Sequence, residues 1–189
     1  MFVLLIIVGA YLLGALNGGY ILTKLVMGKD VRCYGSGNAG ATNTVRVAGK
    51  AVGIIAGAFD LVKGILALMV ANGGSGGSPG LLCFTGIAVI SGHNWPIYFN
   101  FKGGKGVATS IGVALYLFPY ATLLAVICGL LSFVCFRRMF IASLTCLSTL
   151  VLFIVLSNSL TLWYLLLLAF MVGASFWQHR TNIRELKLS

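Results

Sequence analysis

"VATSIGVALYLFPYATLLAVICGLLSFVCF" runs from Val107 to Phe136 without one charged residue. As a single helix it would rise ~45 Å, too long for a hydrocarbon core of ~30 Å. Pro119, inside "LFPY", offers a break, because proline lacks an N–H and clashes with the preceding turn. The topology turns on this stretch. Unbroken, it would put Arg137, Arg138 and the basic tail opposite the cluster that runs from Lys24 to Lys50. Broken near Pro119 into two short spans, it brings every basic cluster to one side. These are Lys24, Lys29, Arg32, Arg46 and Lys50, then Lys102 and Lys105, then Arg137 and Arg138, then Arg180, Arg184 and Lys187. The positive-inside bias of membrane loops selects the broken form.

Working outward, the other apolar runs are Phe2 to Leu22, Ala51 to Ala71, Leu81 to Trp95, Phe140 to Leu156 and Leu160 to Trp177. "NGGSGGSPG" from Asn72 to Gly80 reads as a turn-forming loop, and "SNS" at 157–159 separates the last two runs. The expectation is an all-α integral membrane protein of seven transmembrane helices, with some spans short. Its N-terminus lies outside and its C-terminus in the cytoplasm. Residues 1–189 form one domain. The N-terminal run lacks a basic leader and a clear small-residue cleavage site, so it reads as a retained span.

Composition agrees. Charged residues make up 8% of the chain and the mean hydropathy is +1.03, whereas a soluble globule carries ~25% charge. Thirteen Lys and Arg face three Asp and Glu. The cations sit in short clusters between apolar runs, which suits an anionic membrane leaflet and not nucleic acid. The five cysteines are odd in number and form no CxxC pair. They read as small apolar residues, neither a disulfide framework nor a metal site.

On this topology three polar stretches share one side. In "GSGNAGATNTVR" (35–46), Gly35, Gly37 and Gly40 let backbone N–H groups line a concavity, an anion nest. Ser36, Asn38, Thr42 and Asn43 add donors, and Arg46 adds charge near a helix start. In "GHNWPIYFNFKGGKGVAT" (92–109), Lys102 and Lys105 flank Gly103 and Gly104, point charges beside backbone that can approach a phosphate. No Gly-x-x-x-x-Gly-Lys-Ser/Thr pattern is present, so nucleotide hydrolysis is not supported. The third stretch is "HRTNIRELK" (179–187), with His179 and Asn182. His93 and His179 each end a span, where imidazole can move protons or donate to phosphate. Asp60 and Lys63 fall on one helix face. Each costs ~2.5–3.5 kcal/mol at mid-bilayer, so they should pair or line a polar cavity. No HEXXH, GxSxG or His-x-x-x-x-Asp pattern occurs. Three acids leave little for a carboxylate-bound Mg²⁺. Chemistry here would rest on positive charge, oriented donors and positioning, with no metal or cofactor.

These stretches, together with "DLVKG" (60–64), resemble the signature motifs of the bacterial acyl-phosphate:glycerol-3-phosphate acyltransferases, the PlsY family. The resemblance spans essentially the whole chain. It departs at Glu185, where the family often has a basic residue. It implies transfer of a fatty acyl group from acyl phosphate to the 1-hydroxyl of glycerol 3-phosphate, giving lysophosphatidate and inorganic phosphate, without acyl-CoA or acyl carrier protein as direct donor. It implies an inner-membrane, multi-pass enzyme with a cytoplasmic active site, in contact with membrane lipids. It also implies a functional link to the enzyme that makes acyl phosphate. Within it, Ser36, Thr42, Asn43 and His93 are expected to orient phosphate or a developing oxyanion. Arg46, Lys105 and Lys102 would neutralise phosphate charge, Asn182 would complete the wall, and His179 or the donor's own phosphate would take the proton. The glycines, Asn38 and Lys63 are expected to line the phosphate sites. A small anion transporter and a lipid-binding scaffold are the rival readings of the same residues.

Overall fold

The computed structural model describes residues 1–157 and 160–187, and every regular element among them is helical. In chain order these are α1 (Phe2–Ala15), α2 (Gly18–Met27), α3 (Ala41–Ala48), α4 (Lys50–Ser75), α5 (Pro79–Asn94), α6 (Val107–Leu117), α7 (Pro119–Phe136), α8 (Met139–Leu156), α9 (Leu162–Gln178) and α10 (Arg180–Lys187). Short 3₁₀ turns at Val31–Cys33 and Ile97–Phe99 shape the two longest loops. Among the described helices, α4, α7 and α8 are long and apolar enough to cross a membrane alone. The bent pair α1–α2 makes a fourth candidate, and α6 and α9 are shorter apolar helices.

The long uncharged stretch breaks where proline demands it. Phe118 leaves the helix at φ −138°, ψ 63°, and Pro119 opens α7 at its first turn, where its missing N–H costs nothing.

Two boundaries differ from expectation. The first apolar run is not one helix: it bends by 41° between α1 and α2. Asn17 is extended there (φ −91°, ψ 114°), and its side chain accepts from the Tyr20 N–H at 3.3 Å, capping α2. Hydropathy does not register such a break. The loop after α4 is also shorter than expected. The helix continues to Ser75 and stops at Gly76, which takes the left-handed conformation of a C-cap at φ 70°. Of the "SNS" separator, only Ser157 lies within the described residues. The basic tail is the helix α10.

Close packing organises the half of the molecule that carries the polar loops. Helix α4 runs through it, against α1, α2, α3, α5 and α6. A Cβ at Gly112 on α6 would sit 2.0 Å from the Leu61 carbonyl oxygen of α4, and one at Gly14 on α1 would sit 2.1 Å from the Val89 oxygen of α5. Backbones approach this closely only over glycine, the usual membrane device for van der Waals packing. Leu68, Val89, Ile90 and Val113 fill the space between, and Leu147, Leu150, Leu167 and Met171 continue it towards α8 and α9. Helices α7 and α8 form a hairpin whose outer residues, among them Leu123, Leu130, Leu131 and Val134, stay exposed. Such faces suit lipid as solvent.

Gly112→Ala should lower the thermal midpoint in detergent, because overpacking costs ~1–3 kcal/mol. Gly9→Ala, where a Cβ meets nothing within 4 Å, should leave it unchanged. Equal midpoints for both would refute the α4–α6 contact.

Candidate active site

The first polar stretch is built around Asn43. Its side-chain Nδ2, with two hydrogens to share, lies within hydrogen-bonding distance of the carbonyls of Val31, Tyr34 and Asn38, at 3.1, 3.0 and 2.9 Å. Its Oδ1 accepts the Ser36 N–H at 2.8 Å. One buried amide therefore ties the whole loop 31–38 to α3. Gly35 and Gly37 turn the loop with φ of 59° and 70°, and Asn38 accepts the Gly40 N–H at 2.9 Å. Ser36, Thr42 and Arg46 lie exposed around this frame. The expectation that Asn43 orients phosphate or an oxyanion meets a different geometry: its amide is occupied by backbone and frames the loop.

The second stretch folds back onto the end of α5. The Gly104 N–H donates to His93 O at 3.0 Å, and the Gly103 N–H donates to Asn94 O at 3.3 Å. A Cβ at Gly104 would lie 2.0 Å from His93 Nε2, so the imidazole edge packs directly against this loop. The first and second stretches meet where the Ala39 N–H donates to Gly103 O at 3.5 Å.

Behind His93 lies a buried charged cluster. Lys63 Nζ is 2.8 Å from Asp60 Oδ1, 2.8 Å from the carbonyls of both Gly14 and Leu16, and 2.9 Å from His93 Nδ1. Asp60 Oδ1 also accepts the Gly18 N–H at 3.2 Å. Lysine thus takes carbonyls left open where α1 ends, and aspartate takes an N–H left open where α2 begins. Asp60 and Lys63 pair, as their cost in a membrane requires. His93 Nδ1 also lies 3.4 Å from Asp60 Oδ1, and its Nε2 edge faces Gly104. Lys63 was expected at a phosphate; its ammonium is surrounded by protein groups.

The third stretch closes the site from the other side. Lys105 Nζ donates to Asn182 Oδ1. Burial and the nearby Arg46 push Lys105 down to about 8, with Glu185 opposing. His179 is buried, and its Nδ1 lies 2.8 Å from the Ser175 carbonyl. Nδ1 therefore carries the proton, and Nε2 keeps its lone pair. Burial and the Lys105 charge push His179 down to about 4. The Gln178 amide reaches Asn94 O at 3.5 Å, joining α9 to α5 beside the loop.

All three stretches therefore meet at Lys105, with Arg46, His179, Asn182 and Glu185 within electrostatic or hydrogen-bonding reach. Lys102 is exposed at the rim. Asp30 and Arg32 join the loops as well, and neither was read as a site residue. Their only signal was a charge pair two residues apart beside the first motif. Among the described residues, no three His, Cys, Asp or Glu side chains gather as a metal site would need.

This geometry defines a helical integral membrane protein with polar loops gathered around clustered cations, a site suited to anions. The model of the glycerol-3-phosphate acyltransferase family matches residues 4–188. The glycerol-3-phosphate acyltransferase of Halalkalibacterium halodurans is 41% identical over 186 residues, 96% of this chain and 90% of that one. The one from Pseudomonas aeruginosa is 41% identical over 182 residues, 94% and 92% of the two chains. The solved structure of PlsY (YgiH), an integral membrane glycerol 3-phosphate acyltransferase in its glycerol 3-phosphate form, superposes with a TM-score of 0.93 at 34% identity. It covers 100% of this chain and 93% of that one. The lysophosphatidic acid form superposes with a TM-score of 0.89 at 33% identity and the same coverage. The chain belongs to the glycerol-3-phosphate acyltransferase family, on its PlsY branch.

Asn43→Asp should destabilise at least as much as Asn43→Ala, because it sets a carboxylate against three carbonyl oxygens. Losing several hydrogen bonds worth ~1 kcal/mol each predicts a clear drop in thermal midpoint for both. A stable Asn43→Asp variant would refute the frame described above.

Proposed function

We propose that the chain transfers a fatty acyl group from acyl phosphate to the sn-1 hydroxyl of glycerol 3-phosphate, releasing lysophosphatidate and inorganic phosphate for phospholipid synthesis. The observation that carries this reading is the convergence of Arg46, Lys105, His179 and Asn182 from three separate stretches. The family match and the glycerol 3-phosphate and lysophosphatidic acid forms of the PlsY neighbour support it. Both substrates carry phosphate, which accounts for two glycine-rich stretches beside clustered cations.

An acyl phosphate is already activated, so the reaction needs no covalent acyl-enzyme. The glycerol hydroxyl oxygen attacks the acyl carbonyl carbon, and the bond from that carbon to the phosphate oxygen breaks. The hydroxyl proton goes to the departing phosphate. His179, whose basicity burial and the Lys105 charge lower, is the alternative acceptor. Lys105 and Arg46 neutralise phosphate charge, with Lys102 at the rim. Asn182 holds the Lys105 ammonium in place. Ser36 and Thr42 supply hydroxyl donors, and the His93 ring, packed against Gly104, keeps the second stretch in position. The backbone of Gly35, Gly37, Gly40, Gly103 and Gly104, with Asn38, shapes the two phosphate seats. A mostly apolar groove of about 360 Å³ lined by Leu16, Tyr20, Ile21, Lys24, Leu25, Tyr98 and Phe99 runs beside the second stretch and would suit an acyl chain that stays in lipid.

The same reading takes the chain as one domain of seven spans in a bacterial inner membrane, N-terminus outside, active site and C-terminus cytoplasmic. The side shared by all the basic clusters supports that orientation. It also ties the protein functionally to the enzyme that supplies acyl phosphate.

The decisive experiment is a donor swap. Purified protein receives glycerol 3-phosphate and, separately, palmitoyl phosphate, palmitoyl-CoA or palmitoyl-acyl carrier protein, without added metal. Equal amounts of phosphate and lysophosphatidate should form from palmitoyl phosphate alone; product from a thioester only would overturn the donor. Lys105→Ala and Ser36→Ala should each lower turnover at least tenfold at unchanged thermal midpoint, since one oriented donor is worth ~10²–10³ in rate. Near-normal activity in both would sink the site assignment.

The pH profile follows from Lys105. Its ammonium is charged below about 8 and neutral above. kcat/KM, which reports the free enzyme, should therefore fall as pH rises through about 8. Lys105→Arg, charged throughout, should lose that limb whatever its absolute rate. An identical limb in both proteins would assign it to another group.

A further inference from the structure

Between Ile97–Phe99 and Gly103 the chain makes a turn that costs it strain. Asn100 and Phe101 both sit in the left-handed region, at φ 54° and 57°. Asparagine tolerates that region, whereas an aromatic residue there is an outlier held by its surroundings. Phe101 is 58% exposed, so its own packing does not hold it; the turn is closed by the Phe101 N–H donating to Pro96 O at 3.0 Å and the Lys102 N–H donating to Phe99 O at 3.2 Å, together with one side chain. The carbonyls on either side of the pair, those of Phe99 and Lys102, both accept hydrogen bonds from Arg32 Nη1, at 2.8 and 3.1 Å.

Arg32 is itself fixed from every side. Its Nη2 lies 2.7 Å from Asp30 Oδ2, and its Nε lies 3.0 Å from Oδ1. That fork-to-carboxylate geometry belongs to arginine alone. The pairing holds the Asp30 carboxyl below the ordinary aspartate range. The guanidinium carbon lies 5.0 Å from the Tyr20 ring centroid and 5.7 Å from that of Phe99. The two rings pack on each other at 4.1 Å.

We propose that Arg32 is a positioning residue, a clasp that holds the strained Asn100–Phe101 turn closed and thereby sets Gly103, Gly104 and Lys105 in register with the first stretch. It touches no reacting atom. It acts through the turn, holding the Lys102 carbonyl one residue before the backbone link from Ala39 to Gly103 and three before Lys105. Without it the turn can relax towards ordinary backbone angles, and Lys105 leaves the group it shares with Arg46 and Asn182. Lysine cannot replace it, because a single ammonium cannot pair with both Asp30 oxygens and both carbonyls at once.

The functional half of this inference rests on the acyl-transfer reading; the structural half does not. The test therefore has two arms on the full-length protein in detergent. In the first, hydrogen exchange is followed in the segment 99–106. Arg32→Ala and Arg32→Lys should speed it at least tenfold while exchange in α4 stays unchanged. In the second, steady-state kinetics with glycerol 3-phosphate and palmitoyl phosphate should show KM for a phosphate substrate raised at least tenfold. kcat should stay within threefold and the thermal midpoint should barely move. Arg32→Ala combined with Phe101→Gly, which removes the strained side chain, should recover at least threefold of the lost kcat/KM. Unchanged exchange, or faster exchange with unchanged KM, or no recovery in the double variant, would each overturn the clasp. A wild-type protein without acyl transfer would count against the proposed reaction, and the exchange arm alone would then decide the clasp.

Discussion

Lys63 holds together a helix that is not continuous. Its ammonium satisfies carbonyls that α1 abandons at Gly14 and Leu16, while its partner Asp60 satisfies the Gly18 N–H with which α2 begins. In lipid an open backbone group finds no water, so an interrupted span needs a substitute within the protein. The substitute comes from α4, the helix against which most of this half packs. The same ammonium orders His93, and His93 lies against Gly104. A bend near the start of the chain is thus linked, through one buried cation, to the loop that carries Lys105. Removing the charge would open a helix and loosen a binding loop together.

The polar loops use a second economy: few side chains, each engaged by many backbone groups. Asn43 holds four backbone groups, and Arg32 holds two carbonyls and a carboxylate. Glycine-rich loops have high conformational entropy and need external ties to present a defined surface. Here those ties are a buried amide and a stacked guanidinium. The small exposed hydroxyls and cations around them are left free of structural work, which is where groups that bind a ligand need to be.

The sequence made some of this legible and hid the rest for identifiable reasons. The break at Pro119 could be read because proline forbids continuation and because basic residues had to share one side. The three polar stretches stood out against apolar surroundings, and their meeting at Lys105 followed from that shared side. The bend at Asn17 was hidden, since one asparagine and two glycines hardly change the hydropathy of a span. The helical end of α4 was hidden too, because "NGG" signals a turn, yet the helix runs through it to Gly76. The pairing of Lys63 with Asp60 could be read from their spacing and their cost in a membrane, but the backbone partners of Asn43 and Lys63 could not. Backbone groups carry no sequence signal, and for Lys63 they lie 49 and 47 residues away.

The α7–α8 hairpin contributes none of the residues gathered around Lys105. Its two helices pack chiefly on each other, and its outer surface is leucine, isoleucine and valine facing away from the protein. That separation divides the labour of adaptation. A change in membrane thickness or fluidity can be met in such a hairpin by exchanging one apolar residue for another, or by lengthening it by a turn, without disturbing the groups around Lys105. The glycine-packed half has less latitude, because a single methyl added at Gly14, Gly92 or Gly112 meets backbone. Within one small protein, the part that negotiates with the bilayer and the part that carries the polar loops can evolve at different speeds.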